Sequence, residues 1–248
     1  MTRRRWIADT VSPSSGHPTH AALTGEQALH LARVLRAEAG QIFDVVAAGF
    51  LHRAEITAVT NDRVDFVLHE ELESDSALPL HLYLAVFKFD HLEWAIEKAT
   101  ELGVAQITPV LARRTEKHLA QAAVKRVERW RRIAHEASQQ SRRTSVPDIA
   151  DPTPLKLALE RVTAPNRILL SETEQTLSLS QHLGAPHLAS EMWDSTTALA
   201  IGPEGGWTPE EMSQFTQQNW THVTLGPRIL RAETAAIAAI AIAGTFLA

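Results

Sequence analysis

Hydrophobic and polar positions alternate along this chain with two different periods, and the change falls between residues 70 and 79. Before it, apolar residues come in short runs. Trp6-Ile7-Ala8 predicts an opening strand, and residues 42–46, 50–57 and 64–68 predict three more, with Ala48-Gly49 and Asn61-Asp62 as turns. One helix interrupts them. Thr24-Gly25-Glu26-Gln27 has the form of a capping box, threonine at the N-cap and glutamine three positions on. Ala28, Leu31, Ala32 and Leu35 then share a face, Arg33 and Arg36 lie elsewhere, and Gly40 closes the region. Short strands in series predict a small β-barrel domain over residues 1–73.

Residues 70–77 are polar and acidic, Pro79 follows, and a second domain is expected over residues 74–248. Here strands alternate with helices. Residues 80–87 form a strong strand pattern. Asp90-His91-Leu92-Glu93 resembles another capping box, with Leu92, Ile96, Ala99 and Leu102 on one face of its helix and Gly103 at its end. A strand over 106–110 is followed by a long helix over about 122–141. Val124, Val127, Ala134 and Ala137 should face the core there, and Lys125, Arg126, Arg129 and Arg132 largely the other side. Further strands are predicted at 167–170, 197–201 and 221–225. Strands separated by helices predict an α/β fold with a parallel sheet covered on both faces.

The most apolar stretch is the mostly alanine run 232–248, whose single charge is Glu233. At 17 residues it falls short of the ~20 strongly apolar residues of a membrane span and reads as a buried helix. The start, Met1-Thr2-Arg3-Arg4-Arg5-Trp6, is followed by no long apolar stretch, so no signal peptide is expected. The chain has no cysteine, which excludes disulfides, thiolate zinc sites and a cysteine nucleophile and fits a cytoplasmic location. The net charge of −5 argues against nucleic acid, but it hides an asymmetry: residues 113–143 hold ten Lys and Arg against three acids, a local +7. Such a stretch is either the footprint of a polyanion or a solvated helix face. The twelve histidines show no H-E-x-x-H or similar spacing, so no metal is expected.

Ligands of open α/β sheets gather beyond the carboxyl ends of the strands, and three strand ends carry unusual sequences. After the strand ending at Ile201 comes Gly202-Pro203-Glu204-Gly205-Gly206-Trp207, where three glycines let backbone approach a ligand closely. Thr208 and Pro209 then fit the N-cap and N1 positions of a helix. This is neither a Walker loop nor a dinucleotide fingerprint. The second is Leu225-Gly226-Pro227-Arg228-Ile229-Leu230-Arg231-Ala232-Glu233-Thr234-Ala235. The third is Ser171-Glu172-Thr173-Glu174, after Leu169-Leu170.

Together the first two motifs resemble the SPOUT superfamily of methyltransferases, and more closely the ribosomal RNA small-subunit methyltransferase E family, which methylates N3 of a uridine in 16S rRNA. Residues 88–109 are similar to that family's first helix and following strand. Glu136-Ala137-Ser138-Gln139-Gln140-Ser141-Arg142-Arg143, with Pro147, resembles its basic helix end, and His30-Leu31 through Val34-Leu35-Arg36 and Gly40 resembles its PUA-like N-terminal domain. Residues 185–195 match no part of it.

The resemblance implies a deep trefoil knot in the C-terminal domain, a homodimer, and a site for S-adenosylmethionine where the three loops meet. Leu225, Gly226 and Leu230 would hold the adenine through main-chain groups, and Gly202 and Gly205 would make room for the sugar and methionine. Leu170, Ser171, Glu172, Ile201, Pro203, Gly206, Ile229, Arg231, Thr234 and Ala235 complete the expected cofactor set. Loss of the uridine N3 proton leaves an anion that a nearby cation would stabilise. Arg231 is the candidate, unless it pairs with Glu233 or Glu204. Glu204 would support the loop or accept the proton, and no side chain stands out as general base. RNA, as 16S rRNA or the small subunit, would meet Arg3, Arg4, Arg5 and Arg33 on the first domain and Arg142 and Arg143 on the second. Two other readings fit the same motifs: a SPOUT enzyme acting on transfer RNA or a ribose hydroxyl, and a non-catalytic RNA-binding factor of this fold.

Overall fold

A computed structural model describes residues 5–12, 19–74, 76–185 and 196–247. The expected contacts of Arg3 and Arg4, and nearly all of the unmatched stretch 185–195, lie outside the described residues. The chain divides into two compact units, Met1–Ser76 with Ser138–Ser145, and Ala77–Ala137 with Val146–Ala248.

In the first unit, β1 (Trp6–Ile7), β2 (Thr10–Ser12), β3 (His20–Thr24), β4 (Ile42–Ala47), β5 (Phe50–Val59) and β6 (Arg63–Leu72) form one sheet in the order β1-β4-β5-β6-β3-β2. β1 pairs with β4 and β2 pairs with β3. One short N-terminal segment therefore bonds to both edges, closing the sheet on itself around Trp6, Leu23, Leu31, Ile56 and Phe66. At the β4–β5 turn, Ala48 and Gly49 both have positive φ (52° and 87°), the backbone that a two-residue hairpin requires.

Two local expectations fail in this unit. Thr24 is the N-cap of α1 (Gly25–Leu29), but its side chain caps nothing. Asp9 has taken over: its carboxylate accepts the Thr24 N–H at 2.6 Å, the Thr24 hydroxyl at 3.1 Å and the Gln27 amide at 3.3 Å. A charged acceptor from a neighbouring segment outcompetes the local box. Leu35 is 50% exposed, because α1 passes into a π-helical turn (His30–Val34) that rotates the later positions off the apolar face and leaves Ala37 as the buried one.

In the second unit, β7 (Leu78–Ala85), β8 (Val104–Leu111), β9 (Asp148–Ile149), β10 (Thr153–Pro154), β11 (Asn166–Leu170), β12 (Thr197–Ile201) and β13 (Thr221–Val223) build a parallel sheet ordered β10-β8-β7-β12-β11-β13, with β9 also on β8. Side-chain alternation splits the core in two. Leu80, Leu82, Leu84, Leu199 and Ile201 point into one cluster with α2 (Phe89–Glu101), α3 (Lys117–Gln140), α5 (Leu179–Leu183) and α7 (Ala232–Leu247). Tyr83, Ala85, Ala198 and Ala200 point into the other with α4 (Leu155–Glu160) and α6 (Pro209–Gln217). Helices thus cover both faces, as strand–helix alternation predicts.

The alanine-rich C-terminus is the buried helix α7, packed through Ala236, Ala239, Ile240 and Ala243. No helix among the described residues is long and apolar enough to cross a membrane. Two helix expectations are corrected. The N-cap of α2 is Lys88, not Asp90, and Glu93 instead accepts from Arg126 at 3.2 Å and Arg129 at 2.8 Å. On α3, Val124 is 61% exposed while Ala123 and Trp130 are buried. Trp130 offers far more apolar area than a valine, so it sets the buried phase of the helix. Lys125, Arg126, Arg129 and Arg132 are exposed, as predicted.

Candidate active site

In the second unit, β12 lies between β7 and β11, and β13 borders β11. The carboxyl ends of β11, β12 and β13 are therefore neighbours, and the loops that leave them face one another. They enclose a cavity of about 1130 Å³. Of the residues singled out in the sequence, Leu170, Ser171, Glu172, Ile201, Gly202, Pro203, Glu204, Gly205, Gly206, Leu225, Gly226, Ile229, Leu230, Arg231 and Ala235 all line it. Thr234 does not: it is exposed in the first turn of α7, on a different side of the helix from Ala235.

The β12 loop is held from three directions. Gly206, at φ +71°, donates its N–H to the Pro203 carbonyl at 2.8 Å. Arg114 Nη1 donates to the carbonyls of Gly205 at 2.5 Å and Trp207 at 3.4 Å. Thr208 and Glu211 form a complete capping box at the start of α6, with proline at N1. Trp207 packs its ring on Phe215 at 4.9 Å between centroids. A Cβ on Gly202 would meet the Trp207 Nε1 at 3.0 Å, so any larger residue requires the indole to shift.

The β13 loop turns at Gly226, whose φ of +111° is available cheaply only to glycine. The Thr224 hydroxyl donates to the Gly226 carbonyl and accepts its N–H, both at 3.2 Å. A Cβ there would meet nothing within 4 Å, which leaves the backbone open to a ligand. Ile229 is 85% exposed at the cavity wall. In the β11 loop, Ser171 and Thr173 share a hydroxyl hydrogen bond at 2.9 Å. The Glu174 carboxyl is pushed down to about 2 by hydrogen bonds from the Thr176 hydroxyl and then from the Leu177 and Thr176 backbone N–H groups.

Charged groups around the cavity are sorted unexpectedly. Arg231 forms no ion pair with Glu204 or Glu233 among the described residues. Lys88 stands 4.0 Å from Glu204. Glu233 is buried, and its Oε1 accepts from His91 Nδ1 at 2.8 Å. Lys88, His91 and Arg114 line the cavity but were not singled out as site residues. They sit in segments distant in sequence from the loops; Lys88 and His91 fall in the 88–109 stretch, which reads as helix and strand and not as part of the site. Among the described residues, no group of three or more His, Asp or Glu could hold a metal ion.

Arg142 and Arg143, expected on the second domain, belong instead to the first unit with Arg5 and Arg33, because Ser138–Ser145 packs there. Arg5 is half-buried and its guanidinium donates to the Arg142 carbonyl. Arg33 is exposed, 3.4 Å from the Asn61 side chain. Arg142 is exposed, while Arg143 is partly buried and desolvation pushes it down to about 10.

The glycine-lined cavity lies at adjacent strand ends, where α/β sheets gather ligands, and the family models place the chain among RNA methyltransferases: the RNA methyltransferase domain matches residues 74–244 and the RNA methyltransferase PUA domain residues 23–68. The chain is 34% identical over 242 residues to the ribosomal RNA small subunit methyltransferase E of Bacillus subtilis, covering 96% of this chain and 94% of that one. It is 34% identical to the protein of that name from Synechocystis, over 93% of this chain and 75% of the other. A crystal structure of the Neisseria gonorrhoeae ribosomal RNA small subunit methyltransferase E bound to S-adenosyl methionine superposes with a TM-score of 0.82 at 29% identity, over 98% of this chain and 97% of that one. The chain belongs to the ribosomal RNA small subunit methyltransferase E family.

Proposed function

We propose that this protein methylates N3 of a uridine in 16S rRNA, with S-adenosylmethionine as methyl donor. The observation that carries the reading is the convergence of the β11, β12 and β13 loops on one cavity, where Gly226 leaves backbone open to a ligand. Leu170, Leu225 and Leu230 supply apolar walls for an adenine. The bound donor supplies an already activated methyl group. Backbone of Leu225, Gly226 and Leu230 holds the base, and the 202–206 loop, pinned by Arg114, shapes the space for sugar and amino acid. Arg231, on the cavity wall without an acidic partner among the described residues, stabilises the negative charge that develops on the uracil ring. Glu204, paired with Lys88, supports the loop.

RNA is held by the first unit through Arg5, Arg33 and Arg142, and by Arg3 and Arg4. A trefoil knot around the cofactor loops, a homodimer and a cytoplasmic location complete the proposal. It is tested by mass spectrometry of nucleosides from 16S rRNA of cells with and without the protein. The expected result is loss of 3-methyluridine in the deletion strain and its return on complementation; an unchanged 3-methyluridine content overturns the reading.

A further inference from the structure

Two helices bring an imidazole and a buried carboxylate together at the cavity wall. His91, in the first turn of α2, is half-buried and lines the cavity. Its Nδ1 donates to Oε1 of Glu233, at the start of α7, at 2.8 Å. Glu233 is 2% exposed, and its second oxygen, Oε2, has no hydrogen-bond partner among the described residues. A buried carboxylate oxygen left without a partner is costly, so packing alone is a poor reason to keep this glutamate. A carboxylate on Nδ1 holds an imidazole in the tautomer whose Nε2 lone pair is free to accept a proton. Arg231, the cation assigned to the developing anion, lines the same cavity as His91.

We propose that His91 is the proton acceptor of the methyl transfer and that Glu233 is its positioning residue. This rests on the uridine-N3 reading. The N3–H bond breaks and its proton goes to His91 Nε2. The N3 lone pair so freed forms the bond to the transferred methyl carbon, while the electrons of the carbon–sulfur bond remain on sulfur. The imidazolium then returns its proton to solvent. Two carboxylates lie against His91, Asp90 on its own helix, whose Oδ2 is 3.7 Å from Nε2, and Glu233 on α7; Lys88, Arg114, Glu172, Glu174, Glu204, Arg228 and Arg231 line the same cavity.

The experiment compares wild type with H91Q, H91A and E233Q. In the ligand-free wild type, ¹⁵N spectra of the His91 ring should show the Nδ1–H tautomer, and E233Q should show a mixture. H91Q and H91A should lower kcat at pH 7 about 100-fold or more, the usual share of a general base, while calorimetry finds S-adenosylmethionine affinity within threefold of wild type. The wild-type rate should rise with pH along a limb that both variants lack, and added imidazole should restore part of the H91A rate. Unchanged kcat in H91Q, a parallel fall in kcat and affinity, or an Nε2–H tautomer would each overturn the proposal. Failure of the functional reading is distinct: the wild type itself would form no 3-methyluridine.

Discussion

Glu211 Oε1 accepts the backbone N–H of Arg113 at 2.7 Å, across 98 residues of sequence. Its other oxygen, Oε2, accepts the N–H of Thr208 at 2.8 Å. One buried carboxylate therefore ties the segment after β8 to the first turn of α6, on which the 202–207 loop is mounted. Glu211→Ala should destabilise the protein by about 2–3 kcal/mol, combining a lost cap with a buried N–H left unpaired. Glu211→Gln keeps one acceptor and should lose less. Urea unfolding midpoints check both.

Gly202→Ala should weaken S-adenosylmethionine binding about tenfold or more. Its Cβ would stand 3.0 Å from the indole nitrogen of Trp207, a ring packed on Phe215, so the indole and the loop that carries it have to shift. Gly40→Ala is the control: φ is +87° but no atom lies within 4 Å, so it should cost only about 1 kcal/mol of stability. Calorimetry on both variants reads the difference.

Arg231→Ala should cut turnover about 100-fold while leaving cofactor affinity within threefold, as expected of a cation that acts only on developing charge. Single-turnover rates with 16S rRNA and calorimetry with S-adenosylmethionine measure the two quantities. Equal losses in both would mark Arg231 as a structural part of the loop.

Stability should fall with acid through His81. Burial lowers its imidazole from 6.5 to about 4, and its Nε2 lies 2.9 Å from the Thr108 hydroxyl. The unfolded chain thus takes up this proton more readily than the folded one. The contribution is complete above pH 6.5 and drains away as pH drops toward 4, by up to ~3 kcal/mol. In His81→Gln the melting temperature should depend less on pH across that window.

RNA affinity should fall steeply with salt, each phosphate contact adding about 0.7–0.9 to the slope of log K against log salt. Arg33→Ala and Arg142→Ala should each reduce that slope by about one in filter-binding titrations. A slope unchanged in both would remove these arginines from the RNA surface.

The charge asymmetry shows where sequence reasoning needs tertiary information. The basic stretch 113–143 suggested either a polyanion footprint or a solvated face. In the structure Arg126 and Arg129 share Glu93, Arg131 contacts Glu128 and Asp151, and Arg114 is spent on loop carbonyls. Glu128 belongs to the stretch itself, but Glu93 and Asp151 come from outside it and offset part of the local charge, which a count along the stretch could not register.

By itself the sequence determined the parallel α/β sheet, the β-rich N-terminal unit, the Thr208 cap, the Ala48-Gly49 turn and the three strand-end loops that line one cavity. Each of these is written in local periodicity or in residues with special backbone freedom, which neighbours along the chain are enough to express. Only the tertiary structure decided that Asp9 replaces the Thr24 box, that Trp130 sets the buried face of α3, that Thr234 faces away from the cavity, and that His91 meets Glu233 across 142 residues. In each case two or more groups compete for one partner or one volume. Long-range packing decides which of them wins, and no local pattern carries that information.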